Sequence, residues 1–336
     1  MVAPTKKVFV SGVAGFIGSH LLDRLIREGY FVVGFDNFST GRESFISQAQ
    51  AHAGFQLVRG DLLDLPALMQ AMNGCGFVYH LAANADVRLG PEHPRRDLER
   101  NTLGTFNILE AMRLQGIRRI VFTSSSSVYG EPEIFPTPED APFPMQTSLY
   151  GASKLACEAL IEAYCEGFSL QAWIFRLASI LGERYTHGHA FDFCRQLRAH
   201  PDHLEIFGDG SQRKSYLYIQ DCIDAVRLAS EHSDGKINIF NIGHVQYCSV
   251  NESVDWICSE LRVSTRRVYS GGSRGWIGDS PFVYLDTSRI ARLGWKPTLS
   301  IREATIRTLR YLQGHSFLLE EANARIEGRA RSSQDA

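Results

Sequence analysis

The chain has 336 residues, 44% of them hydrophobic and 21% charged, and its formal net charge is −2. That length buries a sizeable core, and the balanced charge excludes a strongly basic surface for nucleic acid or an anionic membrane. No apolar run approaches the ~20 residues that cross a bilayer, and residues 1–7 lead directly into a predicted strand without a secretory signal.

The cysteines and histidines give no sign of disulfide bonds or of a metal site. The sequence has seven cysteines, an odd number with no C-x-x-C pair, which predicts reduced thiols and a cytoplasmic protein. The histidines show no ligand spacing, and the closest pair, His187 and His189, is interpreted as part of a loop. We therefore expect no metal cofactor.

The first predicted element is a buried strand that begins near Val8 and ends at a glycine turn before a helix. The turn contains Gly12, Gly15 and Gly18 in the spacing G-x-x-G-x-x-G. Glycines let the backbone approach a ligand closely, and the first amides of the following helix face an anion with the help of the helix dipole. This pattern is typical of a dinucleotide-binding turn.

A second predicted strand, from Tyr30 to Phe35, ends at Asp36. A carboxylate at that place hydrogen-bonds the adenosine ribose hydroxyls and repels a 2′-phosphate, so the sequence predicts NAD rather than NADP. Arg42 is the nearby residue that favours the opposite choice, because an arginine accommodates that phosphate.

Strand-like and helical patterns alternate through the first 180 residues. They predict an α/β fold, a Rossmann-type doubly wound parallel sheet with a smaller C-terminal substrate-binding part. We expect a nucleotide-binding domain over residues 1–180, a mainly substrate-binding domain over 181–315 and a tail over 316–336, too polar to fold from about Gly328. Predicted helices include one from about Asp97 to Gln115, one from Ser148 to about Glu166 and one from Ser300 to Gln313.

Three polar or turn segments follow predicted strands: Asp61, Leu81–Ala83, and the serines after Phe122. Open α/β sheets bind ligands at that carboxyl edge. Tyr150 and Lys154 then begin a predicted helix and share one of its faces. A phenol that acts as a base near neutrality needs its pKa lowered by about three units, roughly 4 kcal/mol. A lysine ammonium and a positive nicotinamide ring supply much of that shift.

Together these segments resemble the extended short-chain dehydrogenase/reductase family, in its NAD-dependent sugar-nucleotide epimerase/dehydratase branch. The resemblance runs from the first strand to about residue 310 and also rests on Asn37, Leu62, His80, Asn101, Ser125 and residues 208–221. It implies NAD as cofactor, bound by Gly12, Gly15, Phe16, Ile17, Gly18, Asp36, Asn37, Ser39, Gly41, Asp61, Leu62, Leu81, Ala82, Ala83, Asn101, Tyr150 and Lys154.

The serine segment bears on the reaction. In this family, 4,6-dehydratases carry an Asp-Glu pair where this chain has Ser126 and Ser127, and UDP-glucuronate decarboxylases carry a glutamate at the position of Ser127. The hydroxyl-only segment resembles the UDP-glucose 4-epimerases. The resemblance implies Tyr150 as the base, Lys154 as the group that holds the nicotinamide ribose, and Ser125 as a partner of the sugar hydroxyl.

The resemblance also implies a UDP-sugar or other nucleotide-sugar substrate, contacted by Ser125, Ser126, Tyr150, Ser179, Lys214 and Arg274. Val283 stands at the position that gates N-acetyl sugars and predicts tolerance of UDP-GlcNAc. Family members pair two helices across a homodimer, so the following residues serve either that interface or the core: Leu103, Phe106, Ile108, Leu109 and Met112. A uronic-acid 4-epimerase, a ketoreductase, a dehydratase and a non-catalytic NAD-binding regulator remain alternatives.

Overall fold

The computed structural model describes residues 6–84, 90, 92–143 and 145–332, with side chains up to residue 324. Within these ranges, seven parallel strands form the central sheet. In chain order they are β1 (Lys7–Ser11), β2 (Phe31–Asp36), β3 (Phe55–Arg59), β4 (Phe77–His80), β5 (Arg119–Ser125), β6 (Gln171–Leu177) and β11 (Ile237–Ile242). Their spatial order is β11-β6-β5-β4-β1-β2-β3. The first three strands lie on one side and the later strands on the other, so the order in which strands are added reverses between β1 and β4. This arrangement confirms the predicted Rossmann-type fold.

Helices cover both faces of the sheet. They are α1 (Phe16–Arg27), α2 (Glu43–Gln50), α3 (Leu65–Met72), α4 (Pro94–Asp97), α5 (Gly104–Gln115), α6 (Leu149–Phe168), α7 (His189–Ala199), α8 (Ile219–His232), α9 (Val250–Leu261), α10 (Ser288–Ala291), α11 (Ile301–Gly314) and α12 (Phe317–Ser332). Successive strand residues point to opposite faces: Val8 and Val10 pack in the cluster that contains α1, and Phe9 packs with α3, α5 and α6. Burial on both faces explains why the strands are continuously apolar.

The C-terminal half adds short strands beyond the carboxyl edge of the sheet. They are β7 (Ser179–Leu181), β8 (His203–Ile206), β9 (Arg213–Lys214), β10 (Tyr216–Tyr218), β12 (Cys248–Ser249), β13 (Arg266–Tyr269) and β14 (Phe282–Val283). β7 pairs with β10, β8 with β13, and β9 with both β12 and β14. Because β7 follows β6 after a single residue, Ala178, the small sheets begin directly above the large one.

Some helix predictions differ from the structure. The predicted helix from Asp97 to Gln115 is interrupted by a π-helical turn over Leu98–Leu103, of the kind often found at functional sites. His189 is not a loop residue: it begins α7, its ring is buried, and its Nε2 is 2.7 Å from the Ser253 hydroxyl.

The segment predicted as a tail forms α12, whose helical backbone continues through Gly328 to Ser332, where the sequence predicted no folded structure. Leu318 and Leu319 anchor this helix because both are buried in the core. The last four residues lie outside the described ranges. Within the described ranges, no helix has both the length and the hydropathy that a membrane span needs.

Candidate active site

The glycine turn after β1 is closely packed against neighbouring backbone. Gly12 has φ +71°, and a Cβ there would lie 2.7 Å from the amide nitrogen of Ala82. A Cβ on Gly18 would lie 2.0 Å from the carbonyl oxygen of Gly12. Gly15 caps α1, so the first amides of that helix face the cavity above the turn. The turn therefore lets a ligand approach the backbone closely and places a helix N-terminus at the point where the order of the strands reverses.

Asp36 stands at the end of β2 and is held in place by backbone donors. Its carboxylate accepts hydrogen bonds from the amides of Ala14 at 2.9 Å and Phe38 at 2.8 Å, and burial raises its pKa. Gly41 lies against this carboxylate, where a Cβ would be 2.8 Å from Oδ1. Asn37 is fixed by a 2.9 Å hydrogen bond to Asp61. These side chains share a small cavity with the glycine turn.

A larger cavity of about 720 Å³ extends from the glycine turn across the carboxyl edge of the sheet. Its walls come from both halves of the chain. From the first half they include Phe16, Ile17, Gly18, Ser125, Ser126, Tyr150 and Lys154, and from the second half Ser179, Lys214 and Val283. The predicted catalytic and substrate residues, except Arg274, thus line one space.

Tyr150 and Lys154 lie at the start of α6, and Ser148 is the N-cap residue of that helix. The Ser148 hydroxyl accepts a 3.0 Å hydrogen bond from the amide of Gly151 and caps the helix. Lys154 is 2% exposed, and its ammonium donates to the carbonyl oxygen of Thr123 at 2.8 Å. That ammonium is 6.0 Å from the centre of the Tyr150 ring. The hydroxyl of Ser125 is 3.0 Å from the hydroxyl of Ser127.

Burial dominates the protonation of this pair. It raises the pKa of Tyr150 to about 12, and a hydrogen bond with the Ser125 hydroxyl opposes that rise. Burial also lowers the pKa of Lys154 to about 8. The residues of this chain therefore keep the phenol protonated near neutrality. The prediction assigned the downward shift to the ammonium of Lys154 and a positive nicotinamide ring together, and the ammonium alone does not produce it. A phenolate here needs a further positive charge in the cavity.

The second half of the chain contributes cations to the cavity. Lys214 forms an ion pair with Asp279, and its ammonium lies 4.9 Å from the centre of the Trp276 ring. Arg195, on α7, also lines the cavity. Arg274 instead pairs with Glu131 and is not among the described residues that line it. Its predicted substrate contact stays a prediction.

Comparison with known proteins gives this architecture a family. The sequence profile of the NAD dependent epimerase/dehydratase family matches residues 8–243, well over half of the chain. The chain belongs to that family. NAD is therefore its cofactor, and the protein is an enzyme of an NAD-dependent class.

Its relatives differ in the sugar that their names specify. The chain is 33% identical to the UDP-glucose 4-epimerase of Mycolicibacterium smegmatis over 318 residues, covering 92% of this chain and 99% of that protein. A crystal structure of a UDP-galactose 4-epimerase matches with a TM-score of 0.82 at 35% identity. The UDP-glucuronic acid 4-epimerase of Bacillus cereus, solved with UDP-glucuronic acid and NAD, matches with a TM-score of 0.84 at 29% identity. Both structures cover 92% of this chain and are themselves covered to 99%.

The predicted cofactor residues of this epimerase/dehydratase family member fit NAD in their chemistry. The glycine turn, packed too closely for side chains at Gly12 and Gly18, presents its backbone to the cavity where a diphosphate would bind, and Asp36 supplies the carboxylate for the ribose. Among the predicted cofactor residues, Asn101 differs in its location. It is buried and lines neither cavity in the described ranges; its amide accepts from the Asn84 amide at 2.8 Å and donates to Ser153 at 2.9 Å. It supports the turn after β4, and its direct contact with NAD stays a prediction.

A buried ion pair behind the serine segment was missed by the sequence analysis. Arg176 on β6 donates to Glu158 on α6 at 2.7 Å, and the side chains of both are 2% exposed. Glu158 accepts from the Ser124 hydroxyl, and Arg176 donates to the Tyr129 hydroxyl at 2.8 Å. The available signal was the spacing of Glu158, one turn after Lys154 on the same helical face. This pair fixes the chain on both sides of Ser125.

Proposed function

We propose that this enzyme is an NAD-dependent nucleotide-sugar 4-epimerase that interconverts UDP-glucose and UDP-galactose. The observation that carries the proposal is the cavity lining: Tyr150, Lys154 and Ser125 meet there, while Ser126 and Ser127 occupy the positions of the dehydratase carboxylates. Oxidation and re-reduction at one carbon need a base and a cofactor. Loss of water or of a carboxyl group needs further acid–base groups, which this segment does not provide.

Four glycine-turn and strand-end residues, Gly12, Gly15, Gly18 and Asp36, are proposed to hold the cofactor, with Asn37 and Asp61 beside the adenosine ribose. When bound, NAD accepts a hydride from the sugar C4 and returns it, and its nicotinamide ring carries positive charge. A positive charge stabilises the phenolate form of Tyr150, which needs such a partner because burial raises the pKa of this phenol.

In this proposal the phenol oxygen of Tyr150 takes the proton of the C4 hydroxyl and later returns it. The hydroxyl of Ser125 donates a hydrogen bond to the same sugar oxygen, and the ammonium of Lys154 holds the nicotinamide ribose. Lys214 neutralises part of the substrate diphosphate as a point charge. Net protons and hydride balance, because the product is an isomer of the substrate.

Epimerisation also requires that the sugar turn over between the two hydride transfers. The cavity of about 720 Å³ also has to hold the cofactor and the nucleotide, and its sugar end is lined by small side chains, Ser125, Ser126 and Ser179. Loose packing around the hexose permits rotation while the nucleotide stays bound. Binding energy is therefore expected to concentrate on the nucleotide diphosphate.

A second candidate, a uronic-acid 4-epimerase, is favoured by the hydroxyls at the same end. Ser125, Ser126, Ser127 and Ser179 all line the cavity, and hydroxyl donors satisfy a sugar carboxylate. A solved structural neighbour is named for that reaction and was determined with UDP-glucuronic acid.

The test is a panel of UDP-, dTDP-, GDP- and CDP-sugars incubated with the purified enzyme and followed by product NMR. Conversion of UDP-glucose to UDP-galactose supports the first proposal, and conversion of UDP-glucuronic acid with no reaction of UDP-glucose supports the second. Loss of water or CO₂ from any substrate contradicts both. NAD binding with no turnover across the panel indicates a non-catalytic regulator.

A further inference from the structure

The C-terminal helix α12 reaches the edge of the large cavity. Leu318 and Leu319 fix its first turn in the core, and Ala322 lines the cavity itself. The next residue, Asn323, accepts a hydrogen bond at 3.0 Å from Arg195, one of the arginines that line the cavity. This helix is therefore part of the site wall rather than a separate appendage.

Arg42 is the second cavity arginine that α12 engages. Its guanidinium forms an ion pair with Glu321, and its side chain is 12% exposed against 49% for Glu321. Its backbone amide donates to the carbonyl oxygen of Ala14 in the glycine turn at 2.9 Å. The preceding residue, Gly41, packs against the carboxylate of Asp36. Arg42 is thus anchored beside the group that is proposed to bind the adenosine ribose.

Arg42, which follows Gly41 on the loop after β2, carries a charge that favours NADP; Arg100 is a second arginine at the site and lines both cavities. A guanidinium next to the ribose binds a 2′-phosphate through two parallel hydrogen bonds, which offsets the repulsion from a strand-end carboxylate. In this structure a carboxylate already pairs with the guanidinium of Arg42, and its negative charge repels a phosphate placed next to the arginine. Both effects disfavour a 2′-phosphate.

We propose that Glu321 enforces the choice of NAD over NADP by holding Arg42 in an ion pair. This inference rests on the proposed NAD-binding residues and assigns to α12 a part in cofactor specificity. It gives Arg42 a structural reason to be present in an NAD site: the arginine fastens the C-terminal helix to the loop after β2.

The test measures dissociation constants for NAD and NADP by calorimetry on the full chain freed of bound nucleotide. Glu321→Gln releases Arg42, and we expect NADP to bind about two- to fivefold more tightly, a change of the size produced by one partly exposed ion pair. NAD affinity should change less than about twofold over the same comparison. Thermal shifts with each nucleotide give an independent readout.

Glu320→Gln is the matched control. It removes the same charge from the neighbouring residue, whose ion pair at 3.3 Å is with Arg198, a residue that lines neither cavity in the described part of the chain. It should leave NADP affinity unchanged. The double variant Glu321→Gln/Arg42→Gln should return NADP affinity to that of the parent.

Three results overturn the inference: unchanged NADP affinity in Glu321→Gln, equal tightening of NAD and NADP, or a double variant that keeps the gain. The second result would place Arg42 at the diphosphate shared by both nucleotides. A parent chain that binds neither nucleotide would instead contradict the proposed site, and the inference with it.

Discussion

The ammonium of Lys154 lies 6.0 Å from the centre of the Tyr150 ring, one turn further along α6. Both side chains are buried, and burial moves their pKa values in opposite directions, to about 12 for the phenol and about 8 for the ammonium. The two pKa values move apart, and each shift disfavours the charged form of its group. The site therefore favours a phenolate at Tyr150 only when a second positive group lies near the ammonium of Lys154. Deprotonation of this base then depends on cofactor binding.

Replacing Tyr150 by Phe tests the proposed base. Tyr150→Phe removes the proton acceptor and leaves the glycine turn and Asp36 intact, so we expect kcat to fall by about 10²–10⁴-fold. NAD affinity, measured by calorimetry, should stay within about twofold of the parent. Tyr164→Phe, on the same helix but away from the cavity lining, is the matched control and should keep its activity. Near-normal turnover in Tyr150→Phe would contradict the assignment.

Val283 is the residue expected to admit a 2-acetamido group. It lines the cavity on β14, opposite Lys214 in the ladder. We expect the parent enzyme to convert UDP-GlcNAc, and Val283→Tyr to lose that conversion while retaining UDP-glucose turnover, because the larger ring fills the space beside the sugar. Val283→Thr conserves volume and should behave as the parent. No conversion of UDP-GlcNAc by a parent that converts UDP-glucose would refute this expectation.

Exposed apolar side chains on two neighbouring helices favour a homodimer. Of the residues with two possible roles, Ile108, Leu109 and Met112 are in the core, while Leu103 and Phe106 are 43% and 40% exposed. Leu149 and Phe168 on α6 are exposed to a similar degree, 45% and 40%. We propose that this patch joins two copies of the chain.

Light scattering should then give twice the chain mass for the parent and a monomer mass for Phe106→Glu. Val268→Glu places the same charge at a similarly exposed apolar residue on β13, away from the patch, and should leave the dimer intact. A monomer mass for the parent chain would contradict the proposed homodimer.

Histidines whose pKa is lowered by burial make stability depend on pH, and two of them are shifted most. Burial lowers the pKa of both His80 and His189 to about 3, below the unfolded value of about 6.5. Below pH 6.5 the unfolded chain takes up protons that the folded chain excludes, so stability falls as pH falls toward 3. The expected slope approaches 1.4 kcal/mol per pH unit for each histidine, an order-of-magnitude value.

Urea unfolding followed by circular dichroism between pH 7 and pH 5 measures that slope. His189→Asn should lower that slope by up to about 1.4 kcal/mol per pH unit, the equivalent of one proton. The slope is the readout, since His189→Asn also changes stability at neutral pH. An identical slope in parent and His189→Asn would contradict this account.

Local patterns predicted the parts of the site that single segments build. The apolar strand ahead of Gly12, the carboxylate of Asp36 and the helix-face pair Tyr150 and Lys154 each follow from spacing within a few residues. The π-helical turn over Leu98–Leu103 does not, because it forms where α4 and α5 meet and turns Asn101 inward.

Other parts depend on contacts between distant segments. In the sequence, Arg176 is a cation in a strand and Glu158 an anion in a helix, and nothing local links them. They form a buried pair because α6 packs across β6. The sequence predicts only a polar tail where α12 forms, yet two leucines in its first turn and the ion pair of Glu321 with Arg42 hold the start of this helix against the body. Tertiary contacts here outweigh local composition.

The position of β11 ties the two halves of the chain into one folding event. Its residues, 237–242, supply the last strand of the sheet beside β6 and pair with it from Ala172 to Leu177. A nascent chain emerging from the ribosome therefore carries an unpaired apolar strand edge until some 60 further residues have been synthesised, and such an edge recruits other strands. Expression of the first half alone should give insoluble material, and a chaperone that shields β6 during translation should raise the yield of the whole enzyme.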